Sequence, residues 1–243
     1  MHVFKASIST GNFVVILSFI FLFQTSAATV DFVNDVMPIL SRLGCNGSSC
    51  HGKAEGQNGF KLSVFSHDPE GDFRALTMES RGRRISPAMP ADSLLLRKIT
   101  GEVGHAGGIR LTKGSKPYNL IRDWIKDGME FEIRERPKLL KIRLKPSMGV
   151  MKFGKRQSLK VVAELSDGKQ KNVTWLSVFH SNDTSMANIT EDGTVTIGDM
   201  VGQTSVMARY LGKVAVFQAI IPRSGAAISY PKIPVNNFID KLV

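Results

Sequence analysis

Both cysteines of the chain lie in one short stretch, and a histidine follows the second: Cys45, Cys50 and His51. Two thiols beside a histidine attach haem covalently, because the thiols add to the vinyl groups and the histidine becomes the proximal iron ligand. The usual motif is Cys-x-x-Cys-His, whereas residues 46–49 separate the cysteines here. That connector, Asn-Gly-Ser-Ser, forms turns readily and can loop outward. The stretch therefore predicts covalent haem, and the alternative is a small Cys45–Cys50 disulfide with His51 incidental.

The cysteine count favours the haem alternative. A disulfide between Cys45 and Cys50 would close a very short loop and so remove little entropy from the unfolded chain. Exported proteins that depend on disulfides usually carry several of them, and this chain of 243 residues has two cysteines in all.

The N-terminal residues predict export. Lys5 precedes an apolar run at 13–23, and small residues follow up to Ala27 and Ala28. This is the pattern of a secretory signal peptide, residues 1–28, and the run is short for a bilayer span. An uncleaved N-terminal anchor is the alternative. We expect the mature chain in the periplasm or on the cell surface, and not as an integral membrane protein.

The formal net charge of +11 predicts anionic neighbours. The basic residues are scattered and not interleaved with aromatic ones, so the pattern does not favour nucleic acid. Haem propionates, an acidic redox partner protein and a surface polysaccharide remain as candidates.

The periodicity changes near Pro137. Before it, apolar spacing predicts helices over 31–43, 92–99 and 115–128, while 66–84 looks polar and rich in turns. After it, residues 139–221 alternate in short segments, which is typical of an all-β sandwich of about seven strands. The fold class predicted is multidomain, with a small all-α domain followed by an all-β sandwich.

Residues 31–129 resemble the planctomycete-type cytochrome c domain. The resemblance rests on these motifs: Asp35-Val36-Met37-Pro38-Ile39-Leu40, the Cys-x4-Cys-His, Gly59-Phe60-Lys61-Leu62-Ser63, Gly82-Arg83-Arg84, Ser93-Leu94-Leu95-Leu96-Arg97-Lys98, His105-Ala106-Gly107-Gly108 and Trp124-Ile125.

Residues 137–222 resemble a bacterial Ig-like domain of group 2, through the runs Ala163 to Gly168, Asn172 to Trp175 and Gly193 to Val195. The chain end, from Asn236, resembles the start of a domain of unknown function found in such proteins. The division expected is a signal peptide over 1–28, a cytochrome c-like haem domain over 29–133, the Ig-like domain over 137–222, and over 223–243 a linker with the start of a truncated further domain.

The resemblance also implies the haem ligands. His51 is the proximal one, and the sixth ligand lies between the middle and C-terminal helices, where this chain has His105. Gly107 and Gly108 would let that loop approach a flat ring. The alternative is Met89, which lies between prolines before the middle helix. Three arginines could pair with the propionates: Arg83, Arg84 and Arg110.

The function expected is one-electron transfer by an exported c-type cytochrome module. No substrate chemistry is visible in these residues, so we expect an electron carrier and not an enzyme, although an attached, missing domain could be catalytic. The alternative is a cell-surface adhesion or glycan-binding protein, in which the Ig-like domain does the work and the cysteines form a disulfide.

Overall fold

The computed structural model describes residues 30–131, 136–223, 225 and 234–242. The predicted signal peptide lies outside the described residues, and so does part of the predicted linker. Within the described ranges, no helix is both long enough and apolar enough to cross a membrane.

Short helices joined by turns make up the N-terminal part. A π-type turn, Phe32–Val36, leads into α1 (Met37–Arg42), and the others are α2 (Pro69–Thr77), α3 (Leu94–Ile99) and α4 (Lys116–Lys126). Single 3-10 turns lie at Val64–Ser66, Glu79–Gly82 and Pro90–Asp92. Proline stands in the first turn of α1, α2 and α4, where its missing N–H costs nothing.

The core of this part is aromatic. Trp124 on α4 is buried and packs against Phe32, with ring centroids 5.1 Å apart. Phe73 on α2 meets the edges of both rings. The apolar face of α4 thus holds α2 and the N-terminal turn together, and Trp124 serves as core.

In the described residues after Pro137, ten strands form three sheets. The strands are β1 (Leu139–Lys145), β2 (Met148–Val150), β3 (Arg156–Ser158), β4 (Lys160–Leu165), β5 (Gln170–Asn172), β6 (Val178–Ser181), β7 (Ala187–Ile189), β8 (Thr194–Ile197), β9 (Gly202–Tyr210) and β10 (Lys213–Ile221). The orders are β1-β4-β5, β2-β10-β9-β6 and β3-β8-β7. The β2–β10 pair is parallel and the other pairs are antiparallel. The longest pairing joins β9 to β10 across a tight turn, with Tyr210 opposite Lys213.

The predicted fold class, a small all-α cytochrome c-like domain followed by a separate all-β Ig-like sandwich, is wrong. The described residues are 25% helical and 26% strand, and the α-helices among them have only 6, 9, 6 and 11 residues. Proline lies in the first turn of α1, α2 and α4, and glycine follows closely after α1, α3 and α4, so these helices are short and turns fill much of the segment before Phe131. The strands form three sheets, and buried apolar side chains from both parts belong to one cluster.

Polar contacts also tie the two parts together. The Arg42 guanidinium, at the end of α1, donates to the carbonyl oxygens of Ser177 and Glu191, both at 2.8 Å. The Tyr210 hydroxyl donates to the carbonyl oxygen of Asn34 at 3.0 Å. These bonds hold the turn before α1, and α1 itself, against the sheets. The loop that carries the cysteines starts from α1, so its origin is fixed.

Candidate functional site

One cavity of about 520 Å³ gathers the predicted site residues. Cys45, Cys50, His51 and His105 all line it, although they come from two distant loops. Its apolar lining comes mainly from α1, α3 and the segment after His51: Leu40, Leu43, Leu62, Leu94, Leu95 and Ile99. Met89, the predicted alternative ligand, does not line the cavity, and its side chain is 61% exposed.

The connector between the cysteines is folded into turns. After α1, Gly44 takes a positive φ of 75°, and the Cys45 N–H donates back to the carbonyl of Leu40 at 2.9 Å. The His51 N–H then donates to the carbonyl of Cys45 at 3.0 Å. This bond brings the histidine back beside the first cysteine, so the longer spacing is absorbed locally.

Asn46 points inward from this connector. Its buried side-chain nitrogen donates to the Ser41 hydroxyl at 2.8 Å and to the carbonyl of Ser63 at 3.1 Å. Gly52 packs closely on the same residue, since a Cβ there would lie 2.1 Å from the Asn46 carbonyl oxygen. The buried side-chain amide of Asn46 therefore anchors the connector. The sequence had predicted a turn here, but not this anchoring contact.

Both cysteines lie in the described part of the chain and are free thiols. Cys45 is buried, and burial raises the pKa of its thiol to about 12, with nearby Cys50 adding to the rise and Arg110 opposing it. Cys50 is half-buried. The two sulfurs thus face one cavity from different depths.

His51 is held by Phe60 in two ways. Its Nδ1 lies 3.0 Å from the carbonyl oxygen of Phe60, and the two rings pack with centroids 4.5 Å apart. A carbonyl can only accept, so Nδ1 carries the hydrogen and Nε2 keeps a free lone pair. Burial lowers the pKa of His51; the hydrogen bond to the Phe60 carbonyl opposes this, and His105 and Arg84 add smaller lowering contributions. The lowered pKa favours the neutral imidazole, which is the form that binds metal ions.

His105 has the same internal arrangement in a more exposed loop. Its Nδ1 lies 3.0 Å from the carbonyl oxygen of Gly108, so in the neutral tautomer that this bond favours the lone pair is on Nε2. The loop is tied to α3 at both ends, because Val103 N–H donates to the Arg97 carbonyl and Arg110 N–H to the Ile99 carbonyl. A Cβ on Gly107 would lie 2.8 Å from the ring carbon Cε1 of His105. Glycine is needed there to seat the ring.

The imidazole rings of His51 and His105 lie close together and nearly parallel. Their planes differ by 7° and their centroids lie 6.4 Å apart. Metal–imidazole bonds are about 2 Å long and a ring nitrogen lies about 1 Å from the ring centre, so two imidazoles on opposite sides of one ion have centres about 6 Å apart. The spacing of His51 and His105 fits a haem iron between them.

The three arginines differ in role. Arg83 and Arg110 are exposed and line the cavity, where they are free to meet carboxylates. Arg84 is buried, and its guanidinium donates to four oxygens, those of Ala75, Gly59 and Glu79 on the backbone and the Ser80 hydroxyl. Arg84 is therefore committed within the protein. The sequence did not separate it from its neighbour, because burial depends on distant contacts.

Within the described residues, no group of three or more histidine, cysteine, aspartate or glutamate side chains is placed to hold a metal ion. A haem iron takes four ligands from the porphyrin and needs at most two from the protein. The histidine pair is suited to that case.

No protein-family model matches the sequence, and no curated protein matches it. Among solved structures, domains 4 and 5 of the S-layer protein SbsC align with 36% of this chain and 54% of their own length, at 19% identity and a TM-score of 0.31. The S-layer protein rSbsC(31-844) aligns with 39% of this chain and 14% of its own, at 20% identity and a TM-score of 0.32. The chain spans about half of the first of these structures, and likeness at this level carries no argument about function.

Proposed function

We propose that the cavity holds one haem c and that the protein is an exported electron carrier. Cys45 and Cys50 would attach the group, and His51 and His105 would coordinate its iron. The observation that carries the proposal is the histidine pair: two parallel rings 6.4 Å apart, each with Nδ1 tied to a backbone carbonyl. A disulfide or a packed core would not require this arrangement.

Cys45, Cys50 and His51 line the same cavity, so all three groups of the motif would hold one bound molecule. The two cysteines would hold it covalently, through thioether bonds to its vinyl carbons. When bound, the group supplies one-electron chemistry between ferric and ferrous iron.

The protein would set the conditions for electron transfer through ligands and burial. His51 and His105 would coordinate the iron, and the leucine and isoleucine side chains of the lining would surround part of the bound group with apolar atoms. Arg83 and Arg110 are available to pair with propionates, because a guanidinium forks onto carboxylates. The net charge of +11 favours an acidic redox partner.

Export is part of the proposal. Covalent haem is attached on the outer side of the bacterial membrane, which agrees with the signal peptide predicted from residues 1–28. We therefore place the mature chain in the periplasm or on the cell surface.

The test is to express the chain with its signal peptide in a bacterium that attaches haem c. We expect a red protein whose colour survives acid-acetone extraction and whose band stains for haem on a denaturing gel. The double variant Cys45→Ala, Cys50→Ala should lose haem on denaturation. Ser48→Ala, in the same connector, is the matched control and should keep it.

Two results would overturn the proposal. One is a colourless protein from cells that load another c-type cytochrome normally. The other is a double cysteine variant that still carries haem through the denaturing gel.

A further inference from the structure

Arg84 sits at the centre of a buried hydrogen-bond network next to the cavity. Its side chain lies in the interior, with the residue 6% exposed. One terminal nitrogen donates to the carbonyls of Ala75 at 2.7 Å and Glu79 at 3.2 Å, and the other to the carbonyl of Gly59 at 3.0 Å and the Ser80 hydroxyl at 3.1 Å. A guanidinium provides these donors in a rigid planar fork, which a lysine cannot reproduce.

The same guanidinium also lies over the Phe60 ring, 4.5 Å from its centroid. Arg84 therefore holds both the residue before Phe60, through the Gly59 carbonyl, and the Phe60 ring itself. Phe60 belongs to a short hairpin, residues 57–60, which is closed by two backbone hydrogen bonds between Gln57 and Phe60 at 2.9 and 3.0 Å. No bulky side chain fits at Gly56, where a Cβ would lie 2.3 Å from the Phe60 carbonyl oxygen.

Phe60 in turn contacts His51 in two ways. Its carbonyl accepts the Nδ1 hydrogen of His51, and its ring packs against the imidazole. The carbonyl decides which nitrogen keeps the lone pair, and the ring limits rotation of the imidazole plane. Both constraints originate in a hairpin that Arg84 fixes from the other side.

We propose that Arg84 is a positioning residue for His51, acting through the Phe60 carbonyl and ring. The inference rests on the proposed function only in taking His51 as a ligand. Groups that orient a ligating histidine commonly act through its second nitrogen, and losing one weakens ligation about tenfold to a hundredfold. Here the orienting group is the backbone carbonyl of Phe60, which no substitution can remove directly. Arg84, which holds that segment in place, is the residue that mutation can change.

The experiment measures solvent exchange of the His51 Nδ1 hydrogen by ¹⁵N-edited NMR at fixed pH, together with the Phe60–His51 ring contact as a nuclear Overhauser effect. It uses the full chain as purified, reduced if it carries haem and haem-free if it does not. In Arg84→Gln we expect exchange about tenfold faster, because the acceptor is no longer held in place, and a weakened ring contact. The exchange rate in Arg84→Lys should lie between that of Arg84→Gln and that of the unmutated protein. Arg74→Gln, at an exposed arginine of α2 that does not line the cavity, should exchange like the unmutated protein.

A folded Arg84→Gln protein with unchanged exchange and an unchanged ring contact would overturn the inference, as would an equal effect from Arg74→Gln. If neither Arg84 variant folds, Phe60→Leu decides, because it keeps the carbonyl and removes the ring between the two side chains. We expect faster exchange there too, and unchanged exchange would refute the inference. A chain without haem would refute the proposed function while leaving this measurement intact.

Discussion

The imidazole rings of His51 and His105 face one cavity with their planes 7° apart and their centroids separated by 6.4 Å. One ring stands in the loop after α1 and the other in the loop between α3 and α4. Each is oriented by a backbone carbonyl at 3.0 Å from Nδ1. The two differ in support, since His51 also packs on Phe60, whereas His105 lies in an exposed loop. We therefore expect His105 to be the weaker and more easily replaced ligand.

The first prediction tests whether His105 or Met89 is the second protein ligand. In haem-loaded protein, His105→Ala should convert a low-spin, six-coordinate absorption spectrum into a high-spin one, and added imidazole should restore the low-spin form. Met89→Ala is the matched control. Because the Met89 side chain is 61% exposed and lies off the cavity, its loss should leave the spectrum unchanged. The opposite pattern, or an iron–thioether charge-transfer band in the unmutated ferric protein, would assign the role to Met89.

The second prediction uses two glycines of the His105 loop. Gly107→Ala should push the His105 ring away, because the new Cβ would lie 2.8 Å from Cε1. Gly104→Ala meets nothing within 4 Å and should be harmless. In a titration of the haem-loaded protein, we expect added imidazole to compete about tenfold better in the Gly107 variant. Equal titration curves for the two variants would show that the ring does not need this seat.

The third prediction concerns the thiols of the haem-free full chain. Burial raises the pKa of Cys45 to about 12, so at pH 8 only about one thiol in ten thousand is ionised. Iodoacetamide should therefore modify half-buried Cys50 first, with Cys45 at least about a hundredfold slower by peptide mass spectrometry. In denaturing urea the two rates should converge. Equal rates in the folded chain would contradict the burial of Cys45.

The sequence predicted which residues share the cavity, but it did not predict the fold. Cys45, Cys50 and His51 lie in one short stretch, so local spacing brought them together. His105 was implied by the family resemblance, and it lines the same cavity. That these side chains hold haem stays a prediction. The contacts of Arg84 and Phe60 join α2, the hairpin at residues 57–60 and the turn after α2. The hairpin lies far from Arg84 in sequence, so no local pattern predicts the contacts. The same holds for the anchoring of Asn46.

The fold prediction failed for related reasons. Windows of apolar spacing located α1, α3 and α4, but they did not show how little helix would lie between them. Residues 68–72 looked like a turn, yet they open α2, where the Asp68 carboxylate accepts from the Gly71 N–H at 2.9 Å and Pro69 takes the first position. An aspartate followed by proline is also a helix start signal. The division into three sheets and the joint core depend on long-range pairing.

The last prediction concerns the pH dependence of stability. Asp72 on α2 is 5% exposed, and burial raises the pKa of its carboxyl above the ordinary 3.8, although Ser63 opposes the rise by donating its N–H at 2.5 Å and its hydroxyl at 2.7 Å. The folded chain therefore holds this proton more tightly than the unfolded chain does. Its contribution to the unfolding free energy is complete below pH 3.8 and is lost as the pH rises through the folded pKa.

Asp72→Asn removes that titration. The unfolding free energy of the unmutated protein minus that of the variant, measured by urea denaturation between about pH 4 and pH 7, should fall with rising pH, by less than about 1.4 kcal/mol per unit. Glu70→Gln, exposed on the same helix, should show no such trend. A difference that rises with pH would mean that the two Ser63 hydrogen bonds outweigh burial, because a carboxylate stabilised by donors has a lowered pKa and contributes stability only when ionised.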